Sequence, residues 1–144
     1  MAKSPFTLGK IVRLQEGRGT SLGCEGRCGI VMTARSRCVE VFFPEIFRGF
    51  WLPTDGLQRI SPLDPSVPRP IRRIVALLRM SGAKGWELDR LEGDRVELRL
   101  RVERCDISRL DELRAYLSDD LHDLVIEPGG RAWMTLAIIF DNPR

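Results

Sequence analysis

The chain of 144 residues is predicted to be mainly β and to fold in two parts, a small five-stranded barrel and an α+β domain. Three observations support this. Short apolar runs separated by turn residues fill the first part. Four prolines are concentrated between residues 62 and 70. After them, helix-period segments alternate with strand-period segments. We therefore expect a barrel at 1–61, a proline-rich linker at 62–70 and an α+β domain at 71–144.

Five short segments of the first part have the composition of strands. Valine, isoleucine, leucine and phenylalanine are frequent in them, and turn signals such as Pro53-Thr54-Asp55-Gly56 separate them. Five strands within about sixty residues predict a small closed barrel. The segments are Lys10–Leu14, Gly29–Ala34, Cys38–Phe43, Phe47–Leu52 and Leu57–Ile60.

A pattern of glycines and valines marks the entry to the second of these strands. Gly9 precedes the first strand, and a long loop then leads to Gly26-Arg27-Cys28-Gly29-Ile30-Val31. This G-x-x-G-x-V element resembles that of SH3-like barrels of the KOW or Tudor kind, over residues 9–60. The resemblance implies a five-stranded SH3-like barrel. Such barrels bind RNA, DNA, proline-rich peptides, modified tails or other subunits, so the resemblance leaves the ligand open.

The cysteines of this element have several interpretations. Its glycines permit a bend or a close backbone approach, so Cys24 and Cys28 are most simply free thiols beside the bend. The C-x₃-C spacing also suits zinc, with Cys38 as a third ligand, but no fourth ligand lies nearby in the sequence. A transient Cys24–Cys28 disulfide and a reactive thiol assisted by Arg27 are further alternatives. We expect no cofactor, with zinc as the alternative.

Aromatic residues cluster in FFPEIFRGFW, residues 42–51. Five of them cannot all point into the core from such short strands, because successive strand residues point to opposite faces. The others either pack against the second part or form an exposed surface that grips a peptide or stacks on bases. The predicted partner-binding residues are Arg37, Phe47, Arg48, Phe50 and Trp51.

The second part is predicted to follow the order helix, hairpin, helix, hairpin. An amphipathic helix begins at Ile71 and is ended by Gly82. Residues 95–103 alternate strictly between charged and apolar, which is typical of a strand with one buried face. The last strand is continuously apolar over 136–140, which indicates a central position. This order predicts a two-layer α-β-β-α-β-β domain with a four-stranded antiparallel sheet and both helices on one face.

The net charge of +3 is unevenly distributed. Residues 1–60 carry +4, residues 71–104 carry +3, and residues 105–144 carry −4. This basic bias is modest for a nucleic-acid-binding protein, so RNA or DNA binding is the alternative to a protein partner. Its candidate residues are Arg27, Arg35, Arg37, Arg72, Arg73 and Arg79.

The sequence has no P-loop and no H-E-x-x-H motif. The single histidine, His122, stands near three aspartates, but a solvated helix end explains that pattern more simply than a metal or acid–base site. An enzyme is therefore the less favoured class. We expect a non-catalytic adaptor or accessory subunit of a larger complex, which contacts a protein partner through the barrel.

The expected location is the cytoplasm. No segment reaches the ~18 apolar residues of a membrane span, and the N-terminus lacks the apolar region of a secretory signal. The cysteines do not form an evenly spaced disulfide framework, which favours a reducing compartment.

Overall fold

The computed structural model describes residues 6–15, 26–103, 107–129 and 132–141. Within these ranges the chain forms two antiparallel sheets, of five and four strands, and two helices. The chain divides into two compact units, Met1–Val75 and Ala76–Arg144. The protein is thus mainly β, as the sequence predicts.

The first sheet confirms the five predicted strands, with ends that differ by no more than one residue from those expected. Their order across the sheet is β4-β3-β2-β1-β5, and every neighbouring pair is antiparallel. The strands are β1 (Ile11–Leu14), β2 (Cys28–Ala34), β3 (Cys38–Phe43), β4 (Arg48–Pro53) and β5 (Leu57–Ile60).

The predicted closure of the barrel is wrong, because β4 and β5 are the two edges of an open sheet. The 3-10 turn Thr54–Gly56 joins these edges directly. So short a connection spans at most roughly 15 Å, so the sheet must curl until its edges approach each other. Pro53 at the end of β4 has no N–H, and Leu57 at the start of β5 donates its N–H to the Thr54 carbonyl. These groups are therefore unavailable for a ladder that would close the barrel.

The core of the first unit lies on one face of this sheet. Val31, Val41 and Phe43 are fully buried there, and full burial of such a side chain stabilises a fold by about 1.5–3 kcal/mol. The complete cluster is Phe6, Val12, Leu14, Val31, Val39, Val41, Phe43, Leu52 and Leu57. The opposite face carries a second buried row across four strands, in the order Phe42, Ile30, Ile11 and Ile60.

The structure gives a reason for each glycine of the G-x-x-G-x-V element, Gly26 and Gly29. A Cβ at Gly29 would stand 2.4 Å from Cγ1 of Val41 and 2.9 Å from the carbonyl oxygen of Phe42. Only glycine therefore lets β2 and β3 approach so closely. Gly26 has a φ of +72°, in the left-handed region that favours glycine.

The proline-rich segment forms hydrogen-bonded turns. The N–H of Asp64 donates to the Ser61 carbonyl at 3.0 Å, and the N–H of Val67 donates to the Asp64 carbonyl at 3.1 Å. The Asp64 carboxylate accepts hydrogen bonds from the N–H and the hydroxyl of Ser66, at 2.9 and 2.7 Å. Because Val67 is also buried, this segment is an ordered part of the first unit.

Helix α1 spans Arg69–Ser81, so it begins two residues before the predicted Ile71. Pro70 lies in its first turn, where a missing N–H costs no hydrogen bond. The helix ends as predicted, because Gly82 has a φ of +66° and donates its N–H to the Leu78 carbonyl at 3.1 Å. The buried stripe of the helix is formed by Ile71, Ile74, Val75, Leu77 and Leu78.

The second unit contains the predicted four-stranded antiparallel sheet, with strand order β6-β7-β9-β8. Apolar residues of the central strands pair in register on one face, for example Leu98 with Ile138 and Leu100 with Leu136. The central position of the last strand agrees with its apolar sequence. The elements after α1 are β6 (Gly85–Arg90), β7 (Arg95–Val102), α2 (Ile107–Leu117), β8 (Leu121–Pro128) and β9 (Met134–Asp141).

Replacing Gly29 with alanine is expected to destabilise the protein by about 1–3 kcal/mol, because the added methyl group collides with Val41 and the backbone of Phe42. The matched control is Gly49→Ala, where the nearest atom to the new Cβ is the Val41 carbonyl oxygen at 3.7 Å. The control is expected to change the free energy of unfolding by less than about 0.5 kcal/mol in urea titrations. Equal losses in the two variants would contradict the role assigned to Gly29.

Acid is expected to weaken the turn at Asp64. The Ser66 hydroxyl and the Ser66 N–H hold the pKa of Asp64 below its ordinary value of 3.8, and Arg13 and Arg72 lower it further. A lowered carboxyl pKa stabilises the fold at pH values above 3.8, and this stabilisation is lost as the pH falls through the folded-state pKa. An NMR titration of the Asp64 carboxyl carbon measures the pKa. Ser66→Ala should move it upward toward 3.8, and an unchanged pKa would show that Ser66 is not its cause.

Candidate functional site

Trp51 lies on edge strand β4, on the sheet face opposite the core, and 43% of its surface is exposed. Its cross-strand neighbour in β3 is Glu40. Glu40 in turn pairs with Thr33 of β2, whose hydroxyl lies 3.4 Å from the carboxylate. One row across three strands is therefore formed by Trp51, Glu40 and Thr33.

Arg35 stacks on the exposed indole ring of Trp51. Its guanidinium carbon lies 4.6 Å from the ring centroid. Arg35 is positioned by the turn between β2 and β3, where its N–H donates to the Cys38 carbonyl at 2.9 Å. A cation–π contact of this kind contributes about 0.5–1 kcal/mol at an exposed site, so it orients the ring without burying it.

The structure places the predicted aromatic partner-binding residues on two faces of the sheet. Phe50 packs against the core, with its ring centroid 6.3 Å from that of Phe43, so it contributes mainly to stability. Phe47 contacts Phe42, an outer-face residue, edge-to-face at 5.2 Å. The φ of Phe47 is 53°, an unfavourable conformation that its place in the β3–β4 turn imposes. Of these three aromatic residues, Trp51 is the exposed one, whereas Phe47 and Phe50 are half-buried.

The two predicted partner-binding arginines lie at opposite ends of β4. Arg48 begins the strand, and Arg37 lies beside its end, where the Arg37 carbonyl accepts the N–H of Thr54 at 3.2 Å. Both side chains are exposed. Arg37, Arg48 and Trp51 therefore remain at the candidate site, which Arg35 joins.

The backbone of β4 is open on its outer edge. The hydrogen bond from Thr54 to Arg37 continues the β3–β4 register, so every second residue before Thr54 faces β3. The intervening Gly49, Trp51 and Pro53 direct their backbone groups outward. The N–H groups of Gly49 and Trp51 have no acceptor within the described part of the chain.

Cys28 and Cys38 lie at opposite ends of the β2–β3 hairpin. The register pairs Ile30 with Phe42, so Cys28 stands roughly 20 Å along the strand from Cys38, which begins β3. The two sulfur atoms therefore cannot bind one zinc ion, whose ligands lie at about 2.3 Å. Cys24 lies outside the described residues. Among those that are described, no three histidine, cysteine or acidic side chains are arranged for a metal ion.

Both described cysteines are free thiols. Cys28 is buried, and Arg13 donates to its sulfur at 3.6 Å and to the Ser66 hydroxyl at 2.6 Å. Arg27, which the sequence suggests as an activator of a thiol, instead forms an ion pair with Glu45.

The six arginines of the nucleic-acid alternative have different environments. Arg27 is paired with Glu45, and Arg72 donates to the Asp64 carbonyl at 2.6 Å. Arg73 is half-buried and has contacts of its own. The remaining three are exposed, namely Arg35, Arg37 and Arg79. Fewer of these side chains are thus available for phosphate than the sequence suggests.

Charged residues of the second sheet pair both within and across its strands. Arg99 donates to Glu97 on its own strand, β7, at 3.3 Å and to Glu127 of β8 at 2.6 Å. His122 lies on edge strand β8 rather than at a helix end, and its Nε2 lies 2.8 Å from Oδ1 of Asp141. These pairs are typical of a solvated sheet face.

Comparisons with family models, with curated proteins and with solved structures find no match to this chain. None of the helices in the described ranges is long and apolar enough to cross a membrane.

Sequence reasoning missed the pairing of Arg35 with Trp51. The two residues are distant in the sequence, and Arg35 is predicted there only as a turn residue and a candidate for nucleic-acid binding. A register count through the two predicted hairpins would have placed Trp51 opposite Glu40, and so near the Arg35 turn.

Alkylation of the native protein is expected to modify Cys38 before Cys28, because Cys28 is only 5% exposed whereas Cys38 is partly exposed. Iodoacetamide labelling followed by trypsin separates the two, since cleavage after Arg27 and Arg37 places each cysteine on its own peptide. The unfolded protein is the control, in which both should react equally. If both cysteines are equally protected from alkylation, and a chelator removes that protection, the result would instead support zinc binding.

Proposed function

We propose that the protein is a non-catalytic accessory subunit that binds a protein partner through β4 and the residues beside it. The observation that carries this proposal is the exposed Trp51 ring, which Arg35 holds in one orientation on an open edge strand. The first unit is proposed to be an open variant of an SH3-like barrel. The order of its five strands and its curled sheet support that relationship.

A pre-oriented tryptophan suits protein recognition. Tryptophan and arginine are enriched among the residues that contribute most to binding, because they bury large surfaces and lose little conformational freedom. Trp51 already has its ring oriented by Arg35, so a partner that covers it loses less side-chain entropy on binding. Tyr116 on α2 is similarly exposed, at 40%, but has no such stacked cation among the described residues.

The charges around Trp51 favour a protein over a nucleic acid. Glu40 stands directly beside Trp51, so its carboxylate would repel a phosphate group held close to that ring, whereas Arg37 and Arg48 lie at the two ends of β4. Two of the candidate phosphate-binding arginines, Arg27 and Arg72, are engaged within the first unit. A protein partner can instead match the mixed charges with polar groups of either sign.

Trp51→Ala is expected to weaken partner binding about tenfold or more, which is the effect of losing an interface hot spot. The measurement is quantitative mass spectrometry of proteins retained by the immobilised full chain. The matched control, Tyr116→Ala, removes an aromatic ring of similar exposure and should leave retention unchanged.

Equal retention by the wild type and both variants would contradict the proposal. If the retained material is instead RNA or DNA, its binding should weaken with salt by a log–log slope of roughly −0.7 to −0.9 per phosphate contact. That outcome would replace the protein partner with the nucleic-acid alternative.

A further inference from the structure

The outer edge of β4 has the backbone groups that a further strand requires. Gly49 and Trp51 direct their N–H and C=O groups away from β3, and neither N–H has an acceptor among the described residues. Gly49 is exposed and has no side chain to hinder an approaching backbone. An extended peptide that pairs with both residues would form a short antiparallel ladder.

The edges β8 and β5 are partly protected against the same kind of pairing. In β8, the N–H of Gly129 donates to the Trp133 carbonyl in register with β9, so Leu124, Ile126 and Pro128 direct their backbone groups outward. The Leu124 N–H donates to the Asp123 carboxylate at 2.9 Å and Pro128 has no N–H, so Ile126 is the one of these three whose N–H remains open within the described ranges. The first N–H of β5 is likewise taken by the preceding 3-10 turn. Edge strands are commonly blocked by such devices, and β4 carries only Pro53, at its end.

The charges along β4 indicate the sign of the peptide. Arg35, Arg37 and Arg48 surround the strand, and none forms an ion pair with an acidic side chain of the described residues. The acids nearby are Glu40, which lies beside the Thr33 hydroxyl, and Asp55, in the turn after β4. Glu45 is paired with Arg27. The surroundings of β4 are therefore net positive. A second copy would bring the same three arginines against the first three, so charge complementarity favours an acidic peptide over self-pairing.

An apolar surface lies beside the open backbone. A Cβ placed on Gly49 would be 3.9 Å from the Phe42 ring and 4.0 Å from the Met32 sulfur, so both side chains lie below this glycine. Trp51 flanks the same position two residues along the strand. An apolar peptide side chain that leans over Gly49 would contact Trp51 and the Met32 side chain, above the nearly buried ring of Phe42.

We infer that β4 binds an extended acidic peptide as an added antiparallel strand. The peptide pairs with the backbone of Gly49 and Trp51, places an apolar side chain over Gly49, and directs acidic side chains toward Arg37 and Arg48. This inference rests on the proposed function, because it names the class of partner that binds β4 and the residues beside it.

The test compares two substitutions at Gly49. Gly49→Pro removes an outward N–H without removing any hydrogen bond to β3, whereas Gly49→Ala keeps that N–H and adds a similar Cβ. The probe is a phage-displayed library of random peptides of about ten residues, a length that covers a strand. It is selected on the full wild-type chain, and the enriched peptides are then synthesised with a fluorescein label.

The expected result is enrichment of acidic peptides whose affinity, measured by fluorescence anisotropy, falls about tenfold on Gly49→Pro and clearly less on Gly49→Ala, which adds only a methyl group to the site. Binding should also weaken with salt and on the double substitution Arg37→Ala and Arg48→Ala. Amide hydrogen exchange by NMR on the wild type provides a readout that does not depend on a folded proline variant. Saturating peptide should slow exchange at Gly49 and Trp51.

Three outcomes would overturn the inference. The first is that the selection enriches no peptides, and the second is that it enriches basic ones. The third is that the enriched peptides bind Gly49→Pro as tightly as the wild type and leave the Gly49 and Trp51 amides of the wild type unprotected. Loss of binding on Trp51→Ala with unprotected amides would retain the proposed function and reject only strand addition. If Trp51→Ala binds the peptide as tightly as the wild type and the amides are protected, strand addition would be retained and the proposed role of the Trp51 ring rejected. Concentration-dependent dimerisation that competes with the peptide would identify a second copy as the occupant.

Discussion

The short connection between β4 and β5 is the constraint on which the first unit depends. Three residues join strands at opposite edges of a five-stranded sheet, so the sheet cannot remain flat. Curling turns one face inward, where Phe43 and the valines of three strands are buried together. The Leu57 N–H, the first of β5, donates to the carbonyl of Thr54 in this turn, and Pro53 at the end of β4 has no N–H. The edges therefore approach each other without pairing. An open β4 is thus a consequence of how the core is formed.

This arrangement also determines which aromatic residues are available for binding. Phe50 and Trp51 are adjacent in the sequence, yet one packs against the core and the other is exposed, because the strand alternates between faces. The turn before β4 brings Phe47 onto Phe42. The turn before β3 brings Arg35 onto Trp51. Hairpin register therefore leaves the Trp51 ring of this apolar segment exposed, with Arg35 stacked on it.

The segment between β5 and α1 shows how polar contacts order a proline-rich sequence. Asp64 and Ser66 form a turn that Arg13 of β1 and Arg72 of α1 both contact. Prolines limit the backbone conformations of the unfolded chain, and these hydrogen bonds select one of them. The segment is consequently part of the first unit, where its composition alone indicates a linker.

Most of the secondary structure is predictable from the amino-acid sequence, because alternation and turn residues are local signals. The five strands of the first sheet and the four-stranded antiparallel sheet of the second unit follow from them, as does the end of α1 at Gly82. Three features arise only in the folded protein: the barrel stays open, Cys28 and Cys38 lie too far apart to share a metal ion, and Arg35 stacks on Trp51. Each of these depends on strand register and sheet curvature, which arise from contacts between residues distant in the chain. Local periodicity identifies the strands of this protein, but long-range pairing decides which of their edges and side chains remain free to bind.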